Sequence, residues 1–265
     1  MTLNQNGFFS SELGLRIISA LVLVAIVFVL SWMGGLPFTI MSVILSALLF
    51  YEWQSIVRQS DFDGPEAMLT LGFAALLASI VFGGFAYVLA GFLILGLLLE
   101  LVSTGPEKSD VRWIGLGALY CAIPAFALPV IRETGLALIL FVFLIVWATD
   151  VIAYFAGRQF GGPKLLPMVS PKKTWSGAAG GVVGALIIAF LFHQFVPGFD
   201  SVSTWLWAIL LSVISQAGDL FESAIKRHFD VKDSSQLIPG HGGFLDRVDG
   251  LVAAALPVAA FIALG

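Results

Sequence analysis

The sequence predicts an all-α, polytopic integral membrane protein with about nine transmembrane helices and a cytoplasmic N-terminus. Three observations carry this. Of the 265 residues, 59% are hydrophobic and only 11% are charged, whereas a soluble domain is roughly half apolar and about a quarter charged. Mean hydropathy is +1.00, so the apolar surplus has to face lipid. The basic residues, finally, are distributed between alternate loops with a strong bias.

A spanning helix needs about 20 mainly apolar residues. Windows of this kind fall at 15–33, 36–52, 67–84, 86–102, 112–131, 135–157, 178–196, 202–225 and 248–264. The first is long enough to span and is followed by no small-residue cleavage site, so it reads as a permanent helix rather than a secretory signal. Gly34–Gly35 and Gly83–Gly84 mark tight hairpins between antiparallel spans. With nine spans and the N-terminus inside, Arg16, Arg58, Lys108, Arg112, Arg158, Lys164, Lys172, Lys173, Lys226, Arg227, Lys232 and Arg247 all fall at cytoplasmic ends or loops; Arg132 alone falls on the other side. Topology follows this excess of Lys and Arg.

The longest cytoplasmic loops, about 158–177 and 226–247, are rich in Gly, Pro, Lys and Asp. They place function at that face. The chain reads as one membrane-embedded domain, 1–265, with N-terminal helices over 1–134 and the functional helices and loops over 135–265. The net charge of −4 and the missing basic footprint give no support to a nucleic-acid partner. The lone cysteine, Cys121, lies in an apolar run and reads as a small packed hydrophobe.

Ionised acids inside spans are costly, and they usually face the protein interior with a partner. Asp150 follows the apolar run 141–148, Asp219 and Glu222 lie near the inner end of 202–225, and Asp246 and Asp249 open the last span. Asp219, Glu222 and Lys226 are spaced i, i+3, i+7, so one helix face presents all three. Asp246 and Asp249, at i and i+3, share another. Carboxylates converging from separate helices suit a hard divalent cation such as Mg²⁺, and the neighbouring Lys and Arg residues suit phosphate oxygens. Glu12, Glu52 and Glu100 read instead as solvated helix-end acids or ion-pair partners. His193 and His228 read as surface or interface residues.

The run Ser223–Asp249 reads SAIKRHFDVKDSSQLIPGHGGFLDRVD. Its Ser223, Lys226–Arg227, Lys232–Asp233, Pro239, His241–Gly242–Gly243, Asp246–Arg247 and Asp249 resemble the C-terminal motif of the phosphatidate cytidylyltransferases, also called CDP-diacylglycerol synthases. Upstream, Asp150 with Ala153–Arg158 is similar to that family's Asp-containing span end, and Ser170–Trp175 to its Ser-Pro-Lys-Lys-Thr loop. The resemblance is sharp over about 147–250. Ser176 departs from it, because the family commonly carries Glu there, and Val151–Ile152 departs from the small residue or Thr that often follows the Asp.

The resemblance implies an enzyme joining CTP to phosphatidic acid, with CDP-diacylglycerol and pyrophosphate as products. It implies Mg²⁺ as cofactor, with room for a second, monovalent ion such as K⁺. Asp219, Asp246 and Asp249 are then expected as metal ligands, with Asp150 a fourth or an orienting group. Lys226, Arg227, Lys232 and Arg247 are expected to hold lipid or nucleotide phosphates. Ser170, Lys172, Lys173 and Thr174 are expected at the triphosphate, and the turn His241–Gly242–Gly243 at phosphate or cytosine. Without the resemblance, Lys172 and Lys173 read equally well as inner-leaflet anchors.

Two rival readings fit less well. An ion-coupled transporter also places acids and glycines in spans, but the two halves show no internal symmetry. A CDP-alcohol phosphotransferase would need an Arg where Asp249–Gly250 is followed by Leu251–Ala255. The expected setting is a bacterial-type inner membrane with the site facing the cytoplasm. Gly177, Gly180, Gly181 and Gly184 allow close helix contact, within one chain or across a homodimer.

Overall fold

In the computed structural model the described residues are 12–59, 64–82, 108–235, 237–238 and 242–264. They contain eight helices: α1 (Glu12–Met33), α2 (Gly35–Arg58), α3 (Gly64–Phe82), α4 (Lys108–Thr134), α5 (Leu136–Phe160), α6 (Trp175–Phe195), α7 (Val202–His228) and α8 (Leu245–Leu264). Six of these, α2 and α4–α8, are long and apolar enough to cross a membrane. Shorter apolar stretches, Ile18–Met33 and Leu69–Ala78, lie in α1 and α3. The expected span at 86–102 falls outside the described residues.

One element departs from all-helical architecture. Between α5 and α6 the chain forms a small antiparallel hairpin, β1 (Lys164–Leu166) and β2 (Ser170–Thr174), with Lys164 opposite Thr174 and Leu166 opposite Ser170. The helices also run further than hydropathy alone predicts. α2 continues to Arg58, α7 to His228, and α8 begins at Leu245. Polar and charged residues are good helix formers once the turn below them is set, so Lys226, Arg227, Asp246 and Arg247 stand on helices, where apolar content alone suggested loop.

Large apolar side chains such as Leu71, Leu119 and Phe195 are more than two-thirds exposed on the outer surface of the bundle. This is the signature of a lipid-facing shell, and the chain is a multi-pass membrane protein. Inside, one core gathers Phe38, Leu128, Ile131, Phe141 and Val142 among others, and a second gathers Leu49, Phe50, Trp53, Ile114 and Cys121. Cys121 is thus the packed hydrophobe expected of it.

In lipid there is little hydrophobic drive between helices, so close approach of backbones matters more. The glycine stripe of α6 provides it against α5, within one chain. A Cβ at Gly180 would lie 2.4 Å from the Ala156 Cβ, and one at Gly184 would lie 2.7 Å from the Ala148 carbonyl oxygen. Beside this seam Thr149 donates to the Ser212 hydroxyl at 3.0 Å, and Gln216 donates to the Ala178 carbonyl at 3.3 Å. The buried polar groups of α5, α6 and α7 thereby satisfy one another.

Arg132, the exception to the charge bias, donates from Nε to the Ser31 carbonyl and from Nη2 to the Trp32 carbonyl at 3.1 Å. These are orphan acceptors at the C-terminus of α1, where a cation is favoured by the helix dipole.

Candidate active site

At the end of the bundle where α5 meets the hairpin, and α7 meets α8, lies a cavity of 610 Å³. Its walls combine acids (Asp150, Asp219, Glu222, Asp246, Asp249) with bases (Arg158, Lys164, Lys172, Lys173, Lys226, Arg247). The helices position these side chains by simple periodicity. Asp219, Glu222 and Lys226 point from one face of α7, as their spacing requires, and Asp246 and Asp249 occupy the first turns of α8. Close packing lets the two helices converge: a Cβ at Gly218 would lie 2.8 Å from the Asp249 carbonyl oxygen.

Oxygen atoms of Asp219, Glu222 and Asp249 all lie within 4.8 Å of one another. Glu222 and Asp249 are buried. The Glu222 Oε1 atom is buried without a hydrogen-bond partner, while its Oε2 lies 2.7 Å from Lys226 Nζ. An all-oxygen set with a buried, unpartnered acceptor is the donor chemistry that Mg²⁺ takes, so the residues present fit a divalent ion.

Asp246, expected as a ligand, is held by four protein donors. Its Oδ1 accepts from Lys226 Nζ at 2.7 Å, and its Oδ2 accepts from the Ser234 N–H (3.1 Å), the Ser234 hydroxyl (3.0 Å) and the Gly243 N–H (3.1 Å). It ties the preceding loop to the start of α8, and Glu222 completes the close group of three carboxylates. Asp150 lines the same cavity from α5 but stands outside that group of three.

The hairpin carries the second half of the site. Lys173 forms an ion pair with Asp219, linking β2 to α7. Lys172 is exposed beside it and lines the cavity. Thr174 also lines the cavity, but its hydroxyl is engaged locally, capping α6 by accepting from the Gly177 N–H at 3.1 Å. Ser176, where an acid was expected from the resemblance, donates to the Gly161 carbonyl and lies 3.0 Å from the Thr174 hydroxyl. It closes the α5–hairpin turn. Ser170 opens β2 and is not among the cavity-lining residues.

Several expected residues stand apart from the cavity. Arg227 is exposed and donates to the Val231 carbonyl at 3.1 Å, and Lys232 is exposed. Gly242 has φ +85°, a conformation glycine adopts without strain, and its carbonyl accepts from the Ile238 N–H at 2.8 Å. His241 lies outside the described residues. His228 packs against Trp113 in a tilted arrangement with centroids 4.8 Å apart, and His193 lies 3.3 Å from the Phe199 carbonyl; neither lines the cavity.

Glu52 is where the sequence reading fails outright. It is fully buried, not a solvated helix end. Its Oε1 accepts from the Ser235 hydroxyl (2.6 Å) and the Phe244 N–H (2.8 Å), and its Oε2 from the Leu245 N–H (2.6 Å); Oε2 also lies 3.1 Å from the Ser234 hydroxyl, whose single proton it shares with Asp246. The signal was present in the sequence: an acid in a span with no base at i±3 or i±4 must find its partners elsewhere in the interior. Glu100 is outside the described residues, and of Glu12 only the backbone is described.

Comparison with known proteins identifies the family. Residues 14–264 match the model of the cytidylyltransferase family. A phosphatidate cytidylyltransferase of Brucella abortus biovar 1 (strain 9-941) is 43% identical over 250 residues, covering 92% of this chain and 91% of that protein. One of Bacillus subtilis (strain 168) is 38% identical over 244 residues, covering 87% and 91%. Another, of Haemophilus influenzae (strain ATCC 51907 / DSM 11121 / KW20 / Rd), is 53% identical over 128 residues, 45% of this chain and 43% of its own. With a family match running almost end to end and long relatives above 30% identity, this chain is a member of the cytidylyltransferase family.

Proposed function

We infer that this chain transfers the cytidylyl group of CTP to phosphatidic acid, giving CDP-diacylglycerol and pyrophosphate, and that it does so in the cavity between α5, the hairpin, α7 and α8. The observation that carries the reading is the meeting of acids and bases in one cavity at the ends of membrane helices, in a chain whose long relatives bear that enzyme name.

In this reaction a phosphate oxygen of the lipid attacks the α-phosphorus of CTP. A new P–O bond forms, the bond to the bridging oxygen breaks, and pyrophosphate leaves with that electron pair. Both reactants are polyanions, so their repulsion must be offset, and the attacking and leaving oxygens must be held in line. Lys172 and Lys173 from β2, Arg158 from α5 and Arg247 from α8 surround the cavity and suit phosphate oxygens. Lys173 exchanges its Asp219 partner for a phosphate when substrate arrives. The lipid phosphate is already anionic near neutral pH, so no general base is needed.

Asp219, Asp249 and Glu222 would hold a Mg²⁺ ion, with Asp246 and Asp150 at its margin; such an ion supplies charge neutralisation and an anchor for phosphate oxygens. A monovalent ion such as K⁺ beside it is compatible with the same oxygen-rich wall. Lys226, between Glu222 and Asp246, holds the two acids in register. We place the site at the cytoplasmic face, which the bias of Lys and Arg supports and where CTP is available. The acyl chains then stay in the leaflet while the head group enters the cavity. The two halves, 1–134 and 135–265, act as one domain in this reading.

The test is incorporation of radiolabelled CTP into phosphatidic acid by the purified protein in detergent, with Mg²⁺ or EDTA, for wild type and Asp249→Asn. Metal-dependent CDP-diacylglycerol, lost in the variant, is expected. A folded wild type that makes no product across several lipids and metals would sink the reading.

A further inference from the structure

We propose that Glu52, on α2 in the N-terminal half, is a positioning residue for the reaction: it clamps the start of α8 and the Ser234–Ser235 segment so that Asp246 and Lys226 meet at the cavity. Four donors converge on this one carboxylate, and all four come from the far end of the chain: the hydroxyls of Ser234 and Ser235 and the N–H groups of Phe244 and Leu245. The two N–H groups are orphan donors at the N-terminus of α8, where a negative charge is favoured. The carboxylate therefore caps a helix to which it has no sequence proximity.

The clamp is built closely. A Cβ at Gly243 would lie 2.6 Å and 2.7 Å from the two Glu52 oxygens and 1.9 Å from the Ser234 hydroxyl. Only a glycine lets the loop backbone pass under the carboxylate. The second glycine of the His241–Gly242–Gly243 element is thereby explained by an acid some 190 positions upstream. A second tie from the same helix end runs in parallel: the Gln59 amide donates to the Phe229 carbonyl.

From Glu52 the contacts lead to the site in unbroken steps. Ser234 touches both Glu52 and Asp246, Asp246 accepts from Lys226, and Lys226 pairs with Glu222 of the carboxylate group. If the clamp loosens, Ser234 and the α8 N-terminus lose their fixed acceptor, and Asp246 loses the donors that aim it at Lys226. Glu52 is buried and is not among the cavity-lining residues, so its effect on turnover is exerted through these neighbours.

The proposal rests on the cytidylyltransferase reading, and two measurements keep the two separable. Glu52→Gln retains shape but turns an amide N–H₂ toward incoming donors, leaving them unsatisfied. Substitutions that disturb the support of a site commonly cost about 10–100-fold. The expected result is a kcat reduced at least about tenfold with KM for CTP and for phosphatidic acid within about threefold, partial recovery in Glu52→Asp, and amide hydrogen exchange faster by at least about tenfold at Ser234, Phe244 and Leu245. Unchanged exchange at those amides, or wild-type kcat in Glu52→Gln, overturns the proposal. If Glu52→Gln does not fold, Ser235→Ala removes one donor only and is read the same way: faster exchange at Phe244 with lowered kcat supports the clamp, and no change in either overturns it. A wild type without cytidylyltransferase activity would defeat the assigned reaction, while the exchange measurement still reads the clamp.

Discussion

Lys226 places its Nζ 2.7 Å from Asp246 Oδ1, and the same atom lies 2.7 Å from Glu222 Oε2. One cation thus joins α7 to α8, with side chains only 12% exposed for Lys226 and 2% for Glu222. Removing one partner of a buried pair leaves an uncompensated charge, typically costing about 3–5 kcal/mol. Lys226→Met is expected to lower the thermal midpoint in detergent clearly and to abolish turnover. Glu222→Gln in the same chain should restore part of the stability and none of the activity. Differential scanning fluorimetry alongside the CTP assay reads both.

The group Asp219, Glu222 and Asp249 predicts a ligand effect on stability that does not depend on turnover. Anything that binds only the folded state stabilises it by mass action. Mg²⁺ should raise the thermal midpoint of the wild type and EDTA should reverse the gain. Asp249→Asn and Asp219→Asn should flatten that response and reduce activity by about 100-fold or more, comparable to loss of a directly charge-stabilising group. A full Mg²⁺ shift in both variants would move the ion elsewhere.

The two lysines of the hairpin should separate. Lys172 is exposed at the cavity, so Lys172→Gln should raise KM for CTP by about tenfold, the worth of a charge-assisted hydrogen bond, with a modest change in kcat. Lys173 is bound to Asp219. Its loss should lower kcat as well, because the carboxylate it balances belongs to the metal-fitting group. Steady-state kinetics at varied CTP settles which of the two patterns each variant follows.

Gly180 faces Ala156 with no room for a methyl group, since an added Cβ would lie 2.4 Å away. Gly180→Ala is therefore expected to destabilise by about 1–3 kcal/mol through overpacking, and Ala156→Gly in the same chain should recover much of it. The thermal midpoint of the single and double variants checks this.

Much of this architecture was readable from composition and period. Lipid-facing helices declare themselves by hydropathy, and the α7 acids declare a shared face by spacing. What hydropathy cannot see is where a helix continues into polar sequence. That is why Leu245–Arg247 and Lys226–His228 read as loop in the sequence although they are helical. The hairpin was hidden for a related reason: β1 and β2 are held by pairing with each other, and a run such as Ser170–Thr174 carries no strand pattern of its own. Asp246 was legible as a site residue but not its bonds, because its partners Ser234 and Gly243 come from a loop whose path follows from tertiary contacts. Glu52 is a misplaced acid by the same rule that singles out Asp219 and Asp249, but its partners lie some 180–190 positions away, beyond the reach of local spacing.

The guanidinium of Arg132 has a consequence for the order of assembly. Its acceptors, the carbonyls of Ser31 and Trp32, belong to a helix that leaves the ribosome roughly a hundred residues ahead of it. By the time α4 is made, the carbonyls that accept from its last-turn arginine already exist at the end of α1. The contact is thus a late rivet, fastening the end of α4 to the end of a helix made before it.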